Sequence, residues 1–150
     1  MNKSYNYKDF RIEILYEDSD IAILNKPSGL LTHKKNEFDQ SPSLQDSLKD
    51  QFTIDDGENF KEGIVHRLDK DTSGIIITTK NLSSKNKFRE MFKKRNIKKN
   101  YLAFVYGVLN QNNIEINRNI TRNKVQRTKF NISDNLGKNA ITKVSNIKTF

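Results

Sequence analysis

The sequence predicts an α+β fold: a mixed, mostly antiparallel β-sheet with a few flanking helices. Three observations carry that reading. Apolar residues alternate in several stretches of strand length, only two stretches repeat at helical period, and short polar loops join consecutive strand-like stretches. The series opens with "RIEILYEDSDIAILNKPSG", where Ile12, Ile14 and Tyr16 form one row and Ile21, Ile23 and Asn25 a second. The acidic "EDSD" between them is the turn of a hairpin. "KPSG", residues 26–29, places Pro second and Gly fourth, the signature of a type I turn. After the polar loop "LLTHKKNEFDQSPS", Ser43 can cap a short helix, "LQDSLKDQF", in which Leu44, Leu48 and Phe52 recur every four residues. "DDGENFKEG" is a second loop. "IVHRL" then reads as extended, "DKDTSG" as a turn, and "IIITTK" as a β-branched strand. Between Leu82 and Arg95, the apolar Leu82, Phe88, Met91 and Phe92 leave a basic outer face, which is a helix pattern. "KKNYLAFVYGVL" reads as a long strand with Tyr101, Ala103, Val105 and Gly107 on one face. Leu102, Phe104, Tyr106 and Val108 make up the other. "NIEINRNIT" and "AITKVSNIKTF" alternate again, the last running to Phe150. With no repeat and no interdomain linker, residues 1–150 are expected to form a single domain.

Composition narrows the class. Hydrophobic residues make up 34% and charged ones 30%, with a mean hydropathy of −0.81, so a wet surface surrounds a modest core. The absence of cysteine excludes disulfides and thiolate metal sites. His33 and His66 are too few for a histidine-built centre unless carboxylates join them, and no metal is expected. No stretch approaches the roughly 20 apolar residues that span a bilayer, and "MNKSYNYKDFRIEILYEDSD" lacks the apolar core of a signal peptide. A cytoplasmic monomer with no membrane contact is the expectation. The net charge of +9 is unevenly placed. Through Ile75 there are 10 basic and 15 acidic residues, a net of −5; from Ile76 onward there are 17 and 3, a net of +14. Residues 85–99 and 118–129 carry the excess, and such a polarised half suits a partner that presents phosphates, namely nucleic acid.

One word admits two incompatible readings. In "DKDTSG", Asp69, Asp71, Ser73 and Gly74 satisfy the first conditions of a calcium loop. Position 12 of that loop requires a bidentate glutamate, however, and here it is Lys80. Both flanks also read as strand where helices are needed, so the calcium reading fails. In the other reading the turn presents one catalytic carboxylate, Asp69. Gly74 permits the bend, and Thr72 and Ser73 can bond backbone groups or the aspartate itself.

The wider word decides for the second. His66-Arg67-Leu68-Asp69, Thr72-Ser73-Gly74, the apolar run from Ile75 to Ile77 and Lys80 resemble the signature of the RNA pseudouridine synthases of the RluA type. Thr79 stands where the family usually has alanine. "LYEDSDIAILNKPSGLLTH" resembles the family's N-terminal hairpin and its Lys-Pro-x-Gly turn. "KKNYLAFVYG" resembles its Lys-x-Tyr strand, and "GKNAITK" its Lys-x-Ala-x-Thr segment. Four blocks occur in order, from about residue 11 to the end.

The resemblance implies an isomerase that breaks the N1–C1′ bond of uridine within RNA, turns the uracil and rejoins it through C5, with no cofactor. The implied partner is RNA: relatives of this type act on large-subunit ribosomal RNA, transfer RNA or both, and large-subunit rRNA is the expected substrate. Asp69 is implied as the essential catalytic group, since cleavage leaves an electron-poor C1′ that a carboxylate can stabilise or trap. Arg67 is implied to fill the space left by the flipped nucleotide; a plain salt bridge to Asp69 or Asp71 is the competing reading. Tyr101 is implied to lie against the uracil, an ordinary strand aromatic being the alternative. His66 and Thr72 are expected to support the turn beside the substrate. Lys26 reads as a turn residue able to touch phosphate, His33 as a loop histidine and Asp71 as solvent-facing. The family's Gly-Arg-Thr-His-Gln-Ile-Arg block has no counterpart here, and no S4-type module precedes the match. The chain is therefore expected to be a truncated catalytic domain, and a weakly active or inactive basic RNA-binding fragment is the alternative to an active enzyme.

Overall fold

The alternation between Ile12 and Asn25 forms the expected hairpin, and its acidic turn is held by its own side chains. The Asp18 carboxylate accepts the backbone N–H groups of Asp20 and Ile21, each at 2.8 Å. The computed structural model describes residues 3–49, 51, 63–109, 111–126, 128–145 and 148. Contacts divide the chain into two units, Met1–Asn100 and Tyr101–Phe150. Among the described residues, each contains one antiparallel sheet.

In the first unit, β1 (Lys3–Tyr7), β2 (Phe10–Glu17), β3 (Ile21–Lys26) and β4 (Gly74–Thr79) follow the order β1-β2-β3-β4. The register shifts between Ile14 and Tyr16. That shift corrects the expected row, because Ile12 and Ile14 are buried whereas Tyr16 is half-exposed. The buried row of β3 is Ala22, Leu24 and Lys26, one residue out of phase with the expected one. Ile12, Ala22, Leu24 and Ile76 join Leu30, Leu44 and Leu48 in a core closed to solvent. Burial of each such aliphatic side chain contributes about 1.5–3 kcal/mol.

Among the described residues, two helices complete the unit. In α1 (Leu44–Lys49), Ser43 Oγ accepts the Asp46 N–H and donates to the Asp46 carboxylate, a reciprocal cap. Phe52 and "DDGENFKEG" lie outside the described residues, Gly63 excepted. In α2 (Leu82–Lys93), the Asn81 side chain accepts the Ser84 N–H at 2.9 Å and donates to Asp20 at 2.7 Å, which ties the helix start to the β2–β3 turn. The helix ends in a Schellman motif, in which Arg95 N–H bonds Phe92 C=O and Asn96 N–H bonds Met91 C=O. Arg95 takes φ 59, a left-handed conformation that costs a residue with a side chain about 1–2 kcal/mol.

In the second unit, β5 (Asn113–Arg122), β6 (Phe130–Ser133) and β7 (Lys138–Ser145) lie in the order β6-β5-β7. Gly137 precedes β7 with φ 98, and a Cβ there would stand 2.4 Å from the Ile120 carbonyl oxygen. The long strand expected at 98–109 is not formed: residues 98–109 carry no strand, and Leu102 and Phe104 are 86% and 96% exposed. The physical reason lies in its pattern. Apolar residues on both faces suit an interior strand, which needs pairing partners and covered faces; among the described residues β5, β6 and β7 pair only with one another.

Candidate active site

Two chain segments meet where β3 ends and β4 begins, because Lys26 and Gly74 are register partners across that pair. Residues 27–32 leave β3, and residues 63–73 run up to β4. The second segment starts along β4: the Thr79 N–H reaches Gly63 C=O at 2.9 Å and the Ile77 N–H reaches His66 Nε2 at 2.9 Å. "IVHRL" is thus extended only at its beginning, with a single bridge at Ile64. Gly74 makes the bend into β4 with φ 133.

The turn between them is fixed through its backbone. Thr32 Oγ accepts the Leu68 N–H at 3.2 Å and donates to the Leu68 C=O at 2.7 Å. Gly29 N–H donates to Lys70 C=O at 2.9 Å, and Ser28 Oγ to Asp71 C=O at 2.8 Å. Thr72 N–H closes the turn on Asp69 C=O at 3.2 Å. Lys26 is the centre of this arrangement. Its side chain is closed to solvent, and its ammonium donates to the carbonyls of Pro27, Leu30 and Lys70 at 2.9, 2.8 and 3.0 Å. Burial holds its pKa below the ordinary lysine value, while the nearby Asp71 and Asp69 carboxylates oppose that shift. Lys26 is therefore a clamp, which corrects the reading that it touches phosphate. The "KPSG" turn itself is also displaced: Ser28 and Gly29 are its central residues, and Gly29 takes φ 85, as the third position of a type II turn requires.

With the backbone held, the side chains are left outside. Asp69, Lys70, Asp71 and Ser73 are exposed, and Leu68 is buried between them and the core. Among the described residues the Asp69 carboxylate and the Arg67 guanidinium have no hydrogen bond or ion pair, so the competing salt bridge is not made. Thr72 is half-buried and serves the turn through its amide. His66 is engaged with the fold: its Nε2 accepts from β4 and its ring lies 4.7 Å from that of Phe92 in α2. Burial, with the Lys99 charge, lowers its pKa to about 4, so the ring is neutral near pH 7. His33 Nδ1 lies 3.2 Å from Gln45 Oε1. The motif lysine Lys80 pairs with Glu17 and donates to Asp18 C=O, pinning the end of β4 to the β2–β3 turn. Tyr101 belongs to the second unit, where it is 62% exposed.

The structure thus brings Arg67, Asp69 and Thr72 onto one turn, with His66 just before it. Sequence reasoning missed Lys26 and Thr32 as the residues that hold it. For Lys26 a signal existed, since it stands in phase with Ala22 and Leu24 on a strand of period two. Among the described residues there is no group of three or more histidine or carboxylate side chains placed to hold a metal ion. A cavity of about 250 Å³ lined by Asn117, Arg118, Asn119, Ser133, Asp134 and Asn139 belongs to the second unit and contains none of the candidate residues. Its amides are already bonded within the sheet, Asn139 to Asn117 at 2.7 Å and Asn119 to Asp134 C=O at 3.2 Å.

A four-stranded antiparallel sheet that carries an aspartate turn clamped by a buried lysine is the setting in which the comparisons with known proteins fall. The sequence profile of the RNA pseudouridylate synthase family matches residues 20–150, and the chain belongs to that family. Ribosomal large subunit pseudouridine synthase D of Borreliella burgdorferi is 39% identical over 137 residues, which are 87% of this chain and 41% of that protein. Ribosomal large subunit pseudouridine synthase C of Rickettsia bellii is 38% identical over 130 residues, 86% of this chain and again 41% of the relative. The chain therefore spans about two fifths of the length of these curated relatives. Human RNA Pseudouridylate Synthase Domain Containing 1 superposes with a TM-score of 0.68 at 24% identity, over 88% of this chain and 50% of that one, a likeness of fold. No helix among the described residues is long and apolar enough to cross a membrane.

Proposed function

We propose that this chain is the Asp69-bearing part of an RNA pseudouridine synthase, and that Asp69 acts at C1′ of a uridine in large-subunit ribosomal RNA. The observation that carries this is the Asp69 turn. Its backbone is tied to the neighbouring turn through Lys26, Ser28, Gly29 and Thr32, while its carboxylate has no partner among the described residues. A carboxylate so presented can approach a group that comes from outside the protein. Breaking the N1–C1′ bond leaves an electron-poor sugar carbon, which a nearby carboxylate stabilises or traps. The base must first leave its stack, at a cost of a few kcal/mol. Arg67, exposed and unpaired among the described residues, stands two residues before Asp69 and offers a guanidinium plane that can stack on bases or bond phosphate. Tyr101 is the aromatic that the family resemblance assigns to the uracil. The names of the two bacterial relatives support a ribosomal substrate.

The test uses the full protein on ribosomal RNA that lacks pseudouridine, followed by carbodiimide treatment and reverse transcription. Wild type is expected to give a new stop without added cofactor, and Asp69→Ala none while still binding the RNA. A stop that survives in Asp69→Ala removes Asp69 from its role. Absence of any stop with wild type overturns the function.

A further inference from the structure

The densest charge outside the Asp69 turn follows α2. Lys93, Lys94, Arg95, Lys98 and Lys99 occupy five of seven successive positions, and all five are exposed. Among the described residues only Lys94 is paired, with Glu90 at 2.6 Å. The helix dipole accounts for cations in the last turn, which covers Lys93 and Lys94. It does not account for Lys98 and Lys99, which lie beyond the turn, and it fades within that turn before reaching Arg95.

Arg95 is the unusual member. It stands at the C′ position of a Schellman motif, the place glycine usually takes, with φ 59. Both hydrogen bonds of the motif run between backbone atoms, so glycine would make them equally well. The fold thus keeps a side chain where the backbone disfavours one, and among the described residues that side chain has no partner. A residue held against its backbone preference points to a function beyond the fold. The cluster also adjoins the segment that leads to Asp69, since Phe92 stacks on His66 and the charge of Lys99 is felt at that ring.

We propose that Arg95, flanked by Lys98 and Lys99, binds the phosphate backbone of the RNA on which Asp69 acts. This rests on the RNA-modifying reading above. A guanidinium suits the task because its fork bonds two phosphate oxygens at once and keeps its charge at any working pH.

The experiment compares wild type, Arg95→Gly and Arg95→Lys in the full chain. It measures binding of a fluorescein-labelled RNA stem-loop by anisotropy across about 50–200 mM salt, with thermal unfolding alongside. Arg95→Gly is expected to raise Tm by about 2–4 °C, because glycine accepts the left-handed conformation. The same variant should bind RNA several-fold more weakly, and its slope of log K against log salt should be shallower by about one. Arg95→Lys should keep the salt slope. A glycine variant with wild-type affinity and slope overturns the inference while leaving the RNA reading intact, and so does one whose binding fails together with a lowered Tm. Wild type that binds no RNA, or that prefers an acidic protein, overturns the RNA reading and this inference with it.

Discussion

The two sheets share a design and differ in what covers them. Each is antiparallel, and each contains a strand that alternates apolar with polar residues, β2 in the first and β5 in the second. In the first, one face packs under α1 and the loop after β3, and Ile12, Leu24 and Ile76 are fully buried. In the second, Ile116, Ile120, Ile132 and Ile141 remain 48%, 41%, 69% and 51% exposed. Alternation therefore reports which residues share a face, and coverage has to come from another element. It follows that the first sheet stores its stability in packing, and the second in ladder hydrogen bonds and turn geometry.

The largest expected difference between them is in the cost of truncation. Leu24→Ala should cost about 2–5 kcal/mol, because the cavity sits in a closed core. Ile132→Ala should stay within about 0.5 kcal/mol, as exposed substitutions do. Urea unfolding measures both, and equal costs would show that the second sheet is covered in solution. Next comes the clamp. Lys26→Met fills similar space but leaves the Pro27, Leu30 and Lys70 carbonyls without their donor, so a loss of about 3 kcal/mol is expected, with turnover falling more than RNA affinity. A Lys26→Met variant with wild-type stability and turnover would remove lysine from that role.

Glycine substitutions sharpen the comparison from the side of the second unit. Gly137 and Gly107 both have positive φ, but only Gly137 has backbone against its Cβ position. Gly137→Ala should cost roughly 2 kcal/mol or more and Gly107→Ala only about 1 kcal/mol, since the latter adds strain without a collision. A further effect is set by pH. His66 is neutral in the fold with a pKa of about 4, against 6.5 when free. Between these values the unfolded chain binds a proton that the folded one excludes, so stability is complete above pH 6.5 and declines as pH falls toward 4. His66→Gln, which keeps an acceptor for the Ile77 N–H, should flatten that decline in a pH series of thermal melts.

Much of the fold was legible because its strands and helices announce themselves by period. The β2–β3 hairpin, β4, α2, β5 and β7 follow from apolar spacing, and the Ser43 cap from its hydroxyl. β1 and β6 were not legible. "KSYNY" and "FNIS" are short, polar and largely exposed, so no apolar row marks them. The bulge before Tyr16 was hidden for another reason, since a register shift depends on the partner strand. At the site, the family resemblance singled out Asp69 and Arg67, whereas Lys26 read only as a turn residue able to touch phosphate. What that reading misses is that three backbone carbonyls can hold a buried ammonium in place of water, even though burial still lowers its pKa.

The proposed chemistry depends on one carboxylate held on a fixed turn. Replacing Asp69 by asparagine keeps the shape and removes the charge. Release of tritium from RNA labelled at C5 of uridine then measures turnover, with RNA affinity and Tm recorded on the same preparations. The expected result is loss of release with affinity and Tm close to wild type. Release by Asp69→Asn at the wild-type rate would contradict it.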